Sequence, residues 1–321
     1  MQVLECVPNI SEGRDLARVE QVVEQIRRAP GVELLDYSSD ADHNRSVITY
    51  VGPPEAVLEA TVALCRKAYE LIDMRGHEGG HPRMGAVDVA PFIPLRGIST
   101  EEAVELARRL GHAIGELGVP VYYYENAATR PERRNLADVR RGEYEALPEK
   151  LAAAEWAPDA GPAEFNEKSG ATAVGVRFPL IAFNVDLATT DVEVARRIAN
   201  AVRAKTGGYV NVKAMGLGLE EKGQVQVSMN LVQYEETPIH RVVETVRFEA
   251  ARHGVGVAGC ELIGLAPLAA FEEVIRHYLQ IHDFSLEQII ETRLLEGLGR
   301  ELEARGSRTG GNEPSEAAPR H

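Results

Sequence analysis

The chain has 321 residues, with 35 basic against 49 acidic side chains and a formal net charge of −14. That acidity disfavours general nucleic-acid binding, which needs basic surface, and no apolar run is long enough for a membrane-spanning helix. Hydrophobic residues at 44% and charged residues at 26% are the composition of a globular chain, not of a disordered one. Met1–Asn9 lacks the basic and apolar regions of a signal peptide. The cysteines Cys6, Cys65 and Cys260 match no zinc or CxxC spacing and cannot all pair within the chain. The expectation is a cytoplasmic chain in a reducing compartment, long enough for two domains.

The elements follow in order. Val3–Pro8 reads as a buried strand, and Ser11-Glu12-Gly13 as a turn. Helical spacing of Leu16, Val19, Val22, Val23 and Ile26 predicts a helix over 15–28, stopped by Pro30-Gly31. Val32–Tyr37 and Ser46–Val51 read as strands about the polar loop Ser38–Arg45. Pro54 opens the next helix, which runs through Val57, Leu64, Ala68 and Leu71, and Ala86–Leu95 is strand-like again. This β-α-β-β-α-β order is the split βαβ unit of ferredoxin-like sheets. A helix (100–117) and a strand (119–124) extend it.

Between Trp156 and Gly170 prolines and glycines break every periodicity, and long loops within compact domains are commonly functional. Leu180–Val185, a helix over 191–205, strands 209–217 and 224–232, a helix over 238–252 and strand 255–263 then repeat the first order. The expected fold is therefore α+β, two tandem ferredoxin-like α/β sandwich subdomains, 1–178 and 179–282, with a ligand cleft between them. Helical stretches at 268–280 and 285–304 follow, the second a C-terminal helix over 283–304. The tail 305–321 has no core-forming content and is expected to be disordered.

Two motifs mislead. His77-Glu78-Gly79-Gly80-His81 satisfies HExxH, but zinc-protease chemistry needs both imidazoles on one helical face. Two glycines inside the motif cost about 1 kcal/mol each in a helix, and Pro82 disfavours helical geometry at His81. The motif reads as a loop. Gly254-Val255-Gly256-Val257-Ala258-Gly259 satisfies GxGxxG but follows a helix and precedes a strand, the reverse of a dinucleotide site. It reads as a helix stop followed by a closely packed strand.

The residues left to carry chemistry lie at strand ends in the first half. Asp40, Asp42, His43, Asn44 and Arg45 join two strands, and His77 to Gly85 precede a third. Central strands of a split βαβ sheet are neighbours, so these loops are placed to meet. Histidine titrates near neutrality, arginine takes carboxylates in bidentate fashion, and glycine permits close backbone approach. The bland alternative is a set of polar residues that only cap and turn.

ECVPNISEG (5–13), NRSVITYVG (44–52), LIDMRGHEGGHPRMGAVDVAPFIPL (71–95), RRGEYEAL (140–147), GPAEF (161–165), GATAVGVR (170–177) and LIAFNVDL (180–187) strongly resemble the glutamate formiminotransferase family. The similarity runs to about Leu268, and the chain is too short to hold the cyclodeaminase fused to the animal members. The resemblance implies transfer of the formimino group from N-formimino-L-glutamate to N5 of tetrahydrofolate, a co-substrate. It implies small-molecule partners, a homodimer, no nucleic-acid or membrane partner and no metal. It places the catalytic histidine at His81. It places the folate-contacting loop at Gly161-Pro162-Ala163-Glu164-Phe165-Asn166-Glu167-Lys168-Ser169-Gly170, the loop already singled out by composition. Ser38 stands where the animal enzymes carry an acidic residue, so the carboxylate partner of His81 is open, with Asp40 and Asp42 nearby. Arg45, Arg83 and Lys168 are candidates for substrate carboxylates. Three rivals remain at this point: an N-formylglutamate donor on the same site, a zinc hydrolase using His77 and His81, and a folate-binding protein without catalysis.

Overall fold

In the computed structural model, which describes residues 2–219, 222–295 and 297, the first strand breaks at a proline. Val3–Cys6 (β1) stops before Pro8, which has no N–H for a ladder, and resumes as Asn9–Ile10 (β2). Asp15 then caps Leu16–Arg27 (α1) by accepting from the Ala17 and Arg18 N–H groups, and the helix buries Val19, Val22, Val23 and Ile26. Glu33–Asp40 (β3), Arg45–Gly52 (β4), Pro54–Leu71 (α2) and Val87–Arg96 (β5) follow. A capping box between Ser99 and Glu102 starts Thr100–Glu116 (α3), and Val121–Glu125 (β6) comes after it.

These strands form one sheet in the order β3-β4-(β1, β2)-β5-β7-β6, where β7 is Thr172–Val176. Pairing is antiparallel from β3 to β5 and parallel from β5 through β7 to β6. Alternation along the strands divides the core. Val121 and Tyr123 of β6 and Val174 and Val176 of β7 join the cluster under α1–α3. Tyr122, Tyr124 and Ala173 face the other way, where Leu136–Val139 (α4) and Leu147–Ala152 (α5) cover them with Val139, Leu147 and Leu151. Among the described residues α4 and α5 cover the second face of the sheet beside β5, β7 and β6, and this back layer becomes a wall of the site.

The chain divides after Phe178, and the second compact unit begins at Pro179. It carries Ile181–Leu187 (β8), Val192–Val202 (α6), Val212–Leu219 (β9), Gln224–Leu231 (β10), Ile239–Arg252 (α7), Val257–Ile263 (β11) and Ala269–Leu279 (α8). Its sheet order is β11-β8-β10-β9, antiparallel at every pairing. Ile198, Val202, Val242 and Val246 pack the helices onto Val185, Val227 and Leu231. Both units are mixed α/β with one sheet each.

The sequence expectations differ from this structure at four places. The polar stretch Ser38–Arg45 is mostly strand, for β3 runs to Asp40, which pairs with Arg45, and only the turn 41–44 remains. β3 is an exposed edge strand, so its polarity does not oppose strand geometry. β7 was not foreseen, because TAVGV is buried on both faces and shows no alternation. The GxGxxG segment does follow α7 and run into β11, with Gly254 left-handed at φ 68°, but the strand is not closely packed there, for a Cβ at Gly254, Gly256 or Gly259 would meet open space. Of the expected C-terminal helix over 283–304, residues 283–285 and 289 are not helical, Leu286–Gln288 forms a 3₁₀ turn, and 290–295 and 297 are helical; residues 296 and 298–304 and the tail 305–321 lie outside the described residues.

Candidate active site

The turn between β3 and β4 is organised by Asn44, which sits in the left-handed region at φ 48°, a conformation asparagine tolerates. Its Oδ1 accepts from the Gly13 N–H (3.0 Å) and its Nδ2 donates to the Glu78 carbonyl (3.0 Å), so one side chain ties three chain segments together. The Gly80 N–H donates to the Asp42 carbonyl (3.1 Å). At Gly79 a Cβ would run into the His43 carbonyl oxygen, so only glycine lets the two loops approach this closely. The two loops expected to meet do meet.

Asp40 accepts from the His43 N–H (2.8 Å) and lies 2.6 Å from His43 Nδ1, and these bonds hold its carboxyl below the usual carboxylate range. The Asp42 side chain is exposed. Residues 77–81 are not helical. A single 3₁₀ turn, Met74–Gly76, ends at His77, which is already extended. His77 Nδ1 accepts from Arg83 Nε (3.3 Å), which leaves the ring proton on Nε2, directed at the Asn44 carbonyl (3.0 Å). Arg83 is buried and does not reach out for a substrate carboxylate. Its Nη1 donates to Glu143 (3.1 Å) and Glu145 (2.8 Å), and its Nη2 to Glu145 (2.6 Å) and the His77 carbonyl (3.3 Å). With Nε on His77, all five guanidinium N–H groups are occupied. A cavity of about 400 Å³ beside them is lined by His77, Arg83, Glu143 and Glu145, but His81 is not on its wall.

His81 is held differently. Its Nδ1 lies 2.7 Å from the Pro82 carbonyl, which can only accept, so Nδ1 carries the proton. The Nε2 lone pair then faces Arg45 Nη1 at 2.6 Å. The His43 ring stands edge-on to it, centroids 6.0 Å apart at 72°. Burial, then the charges of Arg45 and Arg140, push the imidazole down to about 4. The question left open by the sequence has a geometric answer: Asp40 is engaged by His43, and the group on Nε2 of His81 is Arg45, not a carboxylate.

Arg140 and Asp88 were missed. Asp88 is buried within β5, accepts from the Met84 N–H (2.9 Å) through Oδ1, and pairs through Oδ2 with Arg140, which follows α4. A charge inside the apolar run AVDVAP was the available signal, since a buried carboxylate requires a cation. The loop expected to contact folate is anchored to the same unit. Asn166 donates to the Gly118 carbonyl (2.9 Å), and Lys168, an exposed residue, donates one Nζ hydrogen to the Glu70 carbonyl (2.7 Å). Tyr144 donates its hydroxyl to the Glu167 carbonyl (2.5 Å), its ring lies 5.4 Å from that of Phe165, and its N–H donates to the Arg83 carbonyl (2.9 Å). Tyr144 therefore links the loop to the strand entry that carries His81. Gly161, Ala163 and Glu164 are exposed, while Ser169 and Gly170 are buried against β5's entry.

The formiminotransferase domain, N-terminal subdomain, matches residues 3–177, and the formiminotransferase domain matches residues 182–299. Glutamate formimidoyltransferase of Streptococcus pyogenes serotype M1 is 49% identical over 296 residues, covering 92% of this chain and 99% of that protein. The Thermoplasma acidophilum protein of the same name is 46% identical over 297 residues, covering 92% and 98%. Formimidoyltransferase-cyclodeaminase of Rattus norvegicus is 45% identical over 302 residues, which cover 92% of this chain but 56% of the rat protein. On these matches, spanning nearly all of the described residues, the chain belongs to the formiminotransferase domain family.

Proposed function

We infer that His81 is the proton carrier of formimino transfer in this chain. The chain is a one-carbon transferase that moves the formimino group of N-formimino-L-glutamate to N5 of tetrahydrofolate, giving 5-formiminotetrahydrofolate and glutamate. N5 is a weak amine nucleophile and the formimino carbon an amidine carbon. Attack leaves a surplus proton on N5, and the departing glutamate nitrogen must gain one. An imidazole with a single free lone pair serves both needs in turn, first as base and then as acid. The observation that carries this reading is the fixed tautomer: Nδ1–H is committed to the Pro82 carbonyl, so Nε2 alone exchanges protons. Pro82 also restrains His81 to extended backbone, which aims the ring. Holding two substrates together removes up to roughly 7–11 kcal/mol of barrier in ideal cases, and this acid–base route calls for no metal.

Finer assignments belong to the same reading. Residues 1–178 are the catalytic subdomain and 179–282 the second subdomain, and both are ferredoxin-like. Support comes from the strand orders: β3-β4-(β1, β2)-β5 and β9-β10-β8-β11 are the same antiparallel arrangement of a β-α-β-β-α-β unit. Gly161–Gly170 is the folate-contacting loop, supported by its exposed stretch beside the Tyr144–Phe165 ring pair, an apolar surface suited to a flat heterocycle. A homodimer is supported by Leu35 and Tyr37, exposed on the edge strand β3. A reducing cytoplasm is supported by three free cysteines, two of them buried thiols. The test is an absorbance assay for methenyl-tetrahydrofolate after incubation with tetrahydrofolate and donor, followed by acid. Turnover is expected with N-formiminoglutamate and at least about tenfold less with N-formylglutamate, whose oxygen replaces the NH at the reacting carbon. Equal turnover of both would defeat the donor assignment.

A further inference from the structure

Arg45 is a half-buried guanidinium with no carboxylate on it among the described residues. The acids near it are committed elsewhere, Asp40 to His43 and Asp88 to Arg140 and the Met84 N–H. Its Nε is buried without a hydrogen-bond partner, and so is the Nε of Arg140. Buried guanidinium donors left unpaired are costly, and here one belongs to the arginine in contact with His81 and the other to an arginine whose charge that histidine feels. Burial and then the neighbouring Arg140 push the Arg45 guanidinium below its ordinary basicity, against the opposing pull of Asp88 and Asp40.

We propose that Arg45 and Arg140 seat the α-carboxylate of the formimino donor, and that this carboxylate draws Arg45 off Nε2 of His81, so that the base is uncovered only when the donor is in place. The proposal rests on the reading of His81 as the proton carrier. Both substrates carry carboxylates, and the chemistry selects the donor's. In N-formiminoglutamate the α-carboxylate is joined to the same carbon as the reacting nitrogen, so it must lie close to whichever group handles that nitrogen's proton. In tetrahydrofolate the glutamate tail is separated from N5 by a whole aminobenzoyl group. A cation in hydrogen-bond contact with Nε2 is therefore within reach of the donor's α-carboxylate and remote from the folate tail. A carboxylate is also the stronger partner, since guanidinium–carboxylate pairs exceed bonds to a neutral imidazole. Arg140 keeps Asp88 with Nη2 and offers Nε. The incoming anion offsets part of the guanidinium charge that, after burial, weakens His81 as a base, so donor binding brings the imidazole back toward the range in which it can work.

The probe is L-glutamate, the reaction product, with histidine-labelled enzyme followed by NMR over the acid range and the His81 signal assigned by its loss in His81→Ala. Saturating glutamate is expected to raise the His81 midpoint, near 4 in the free enzyme, by more than about one unit. In Arg45→Gln the midpoint starts higher and glutamate moves it little. Arg45→Gln is expected to raise KM for formiminoglutamate about 10- to 100-fold while KM for tetrahydrofolate stays within about threefold. Arg140→Ala removes the partner of buried Asp88 and can lose the fold, so Arg140→Lys is measured too, with a donor KM about tenfold higher and an unchanged melting curve. A midpoint that glutamate does not move overturns the uncovering of His81. A rise in KM for tetrahydrofolate that disappears with tetrahydropteroate, which lacks the glutamate tail, overturns the donor assignment. A fully active His81→Ala enzyme alongside a raised donor KM in Arg45→Gln defeats the proton-carrier reading and the uncovering with it, while supporting the carboxylate seat.

Discussion

At His77 both ring nitrogens are occupied by the fold, Arg83 on one and the Asn44 carbonyl on the other, whereas Nε2 of His81 meets the end of the Arg45 side chain. On the proposed reading the first ring is a staple and the second the reagent. His77→Ala leaves Arg83 Nε and the Asn44 carbonyl without partners, which is expected to cost about 1–3 kcal/mol of stability while kcat stays within about threefold of wild type. Paired thermal melts and steady-state assays check this, and a kcat loss matching that of His81→Ala would make His77 part of the chemistry. The sequence made these two histidines separable, because glycines and Pro82 within HEGGHP exclude the helix that would have made them equivalent. It did not show what touches them. Arg45 reaches His81 through the register that pairs Asp40 with Arg45, and Arg140 arrives from the back layer after α4; neither placement is written in local spacing.

Among the elements, those with a clean 3.6 or alternating period were legible: α1, α3 and α7 lie within about one residue of their expected ends, and α6 stops about three residues short. What escaped was set by tertiary burial. β7 is covered on both faces and lies between β5 and β6, and the short helices α4 and α5 form a lid over the sheet with too few turns to show a stripe. Yet these elements supply Arg140, Tyr144 and the glutamates on Arg83, so an unread back layer meant a half-read site. The contact between the β3–β4 turn and the 77–80 loop is also an element-scale property, and Gly79 permits it. Gly79→Ala forces the loops apart at the His43 carbonyl. A displacement of about 1 Å at a positioned catalytic group costs on the order of 10²-fold in rate. The expected outcome is a folded protein with kcat lowered by about that factor, checked by circular dichroism and turnover; unchanged kcat would show that His81 does not depend on this approach.

For the whole molecule, the depressed His81 links the site to stability. In the unfolded chain this histidine protonates near the ordinary imidazole value of 6.5, but burial and the two arginine charges lower that to about 4 in the fold. Between those values the unfolded state binds the extra proton, so this residue makes the protein less stable as pH falls through that window and contributes nothing above it. His81→Gln should accordingly flatten the fall of Tm between about pH 6.5 and 4, measured against wild type in the same buffers. Parallel curves would mean an imidazole that titrates normally in the fold. The central claim is the role of His81 itself, and its most direct measurement is kcat for tetrahydrofolate and N-formiminoglutamate in His81→Ala, with circular dichroism as the folding control. The expected result is a normally folded protein with kcat lowered by roughly 10²–10⁴ and KM for tetrahydrofolate nearly unchanged. A normally folded His81→Ala protein that keeps more than about a third of wild-type kcat, far above that range, would contradict it.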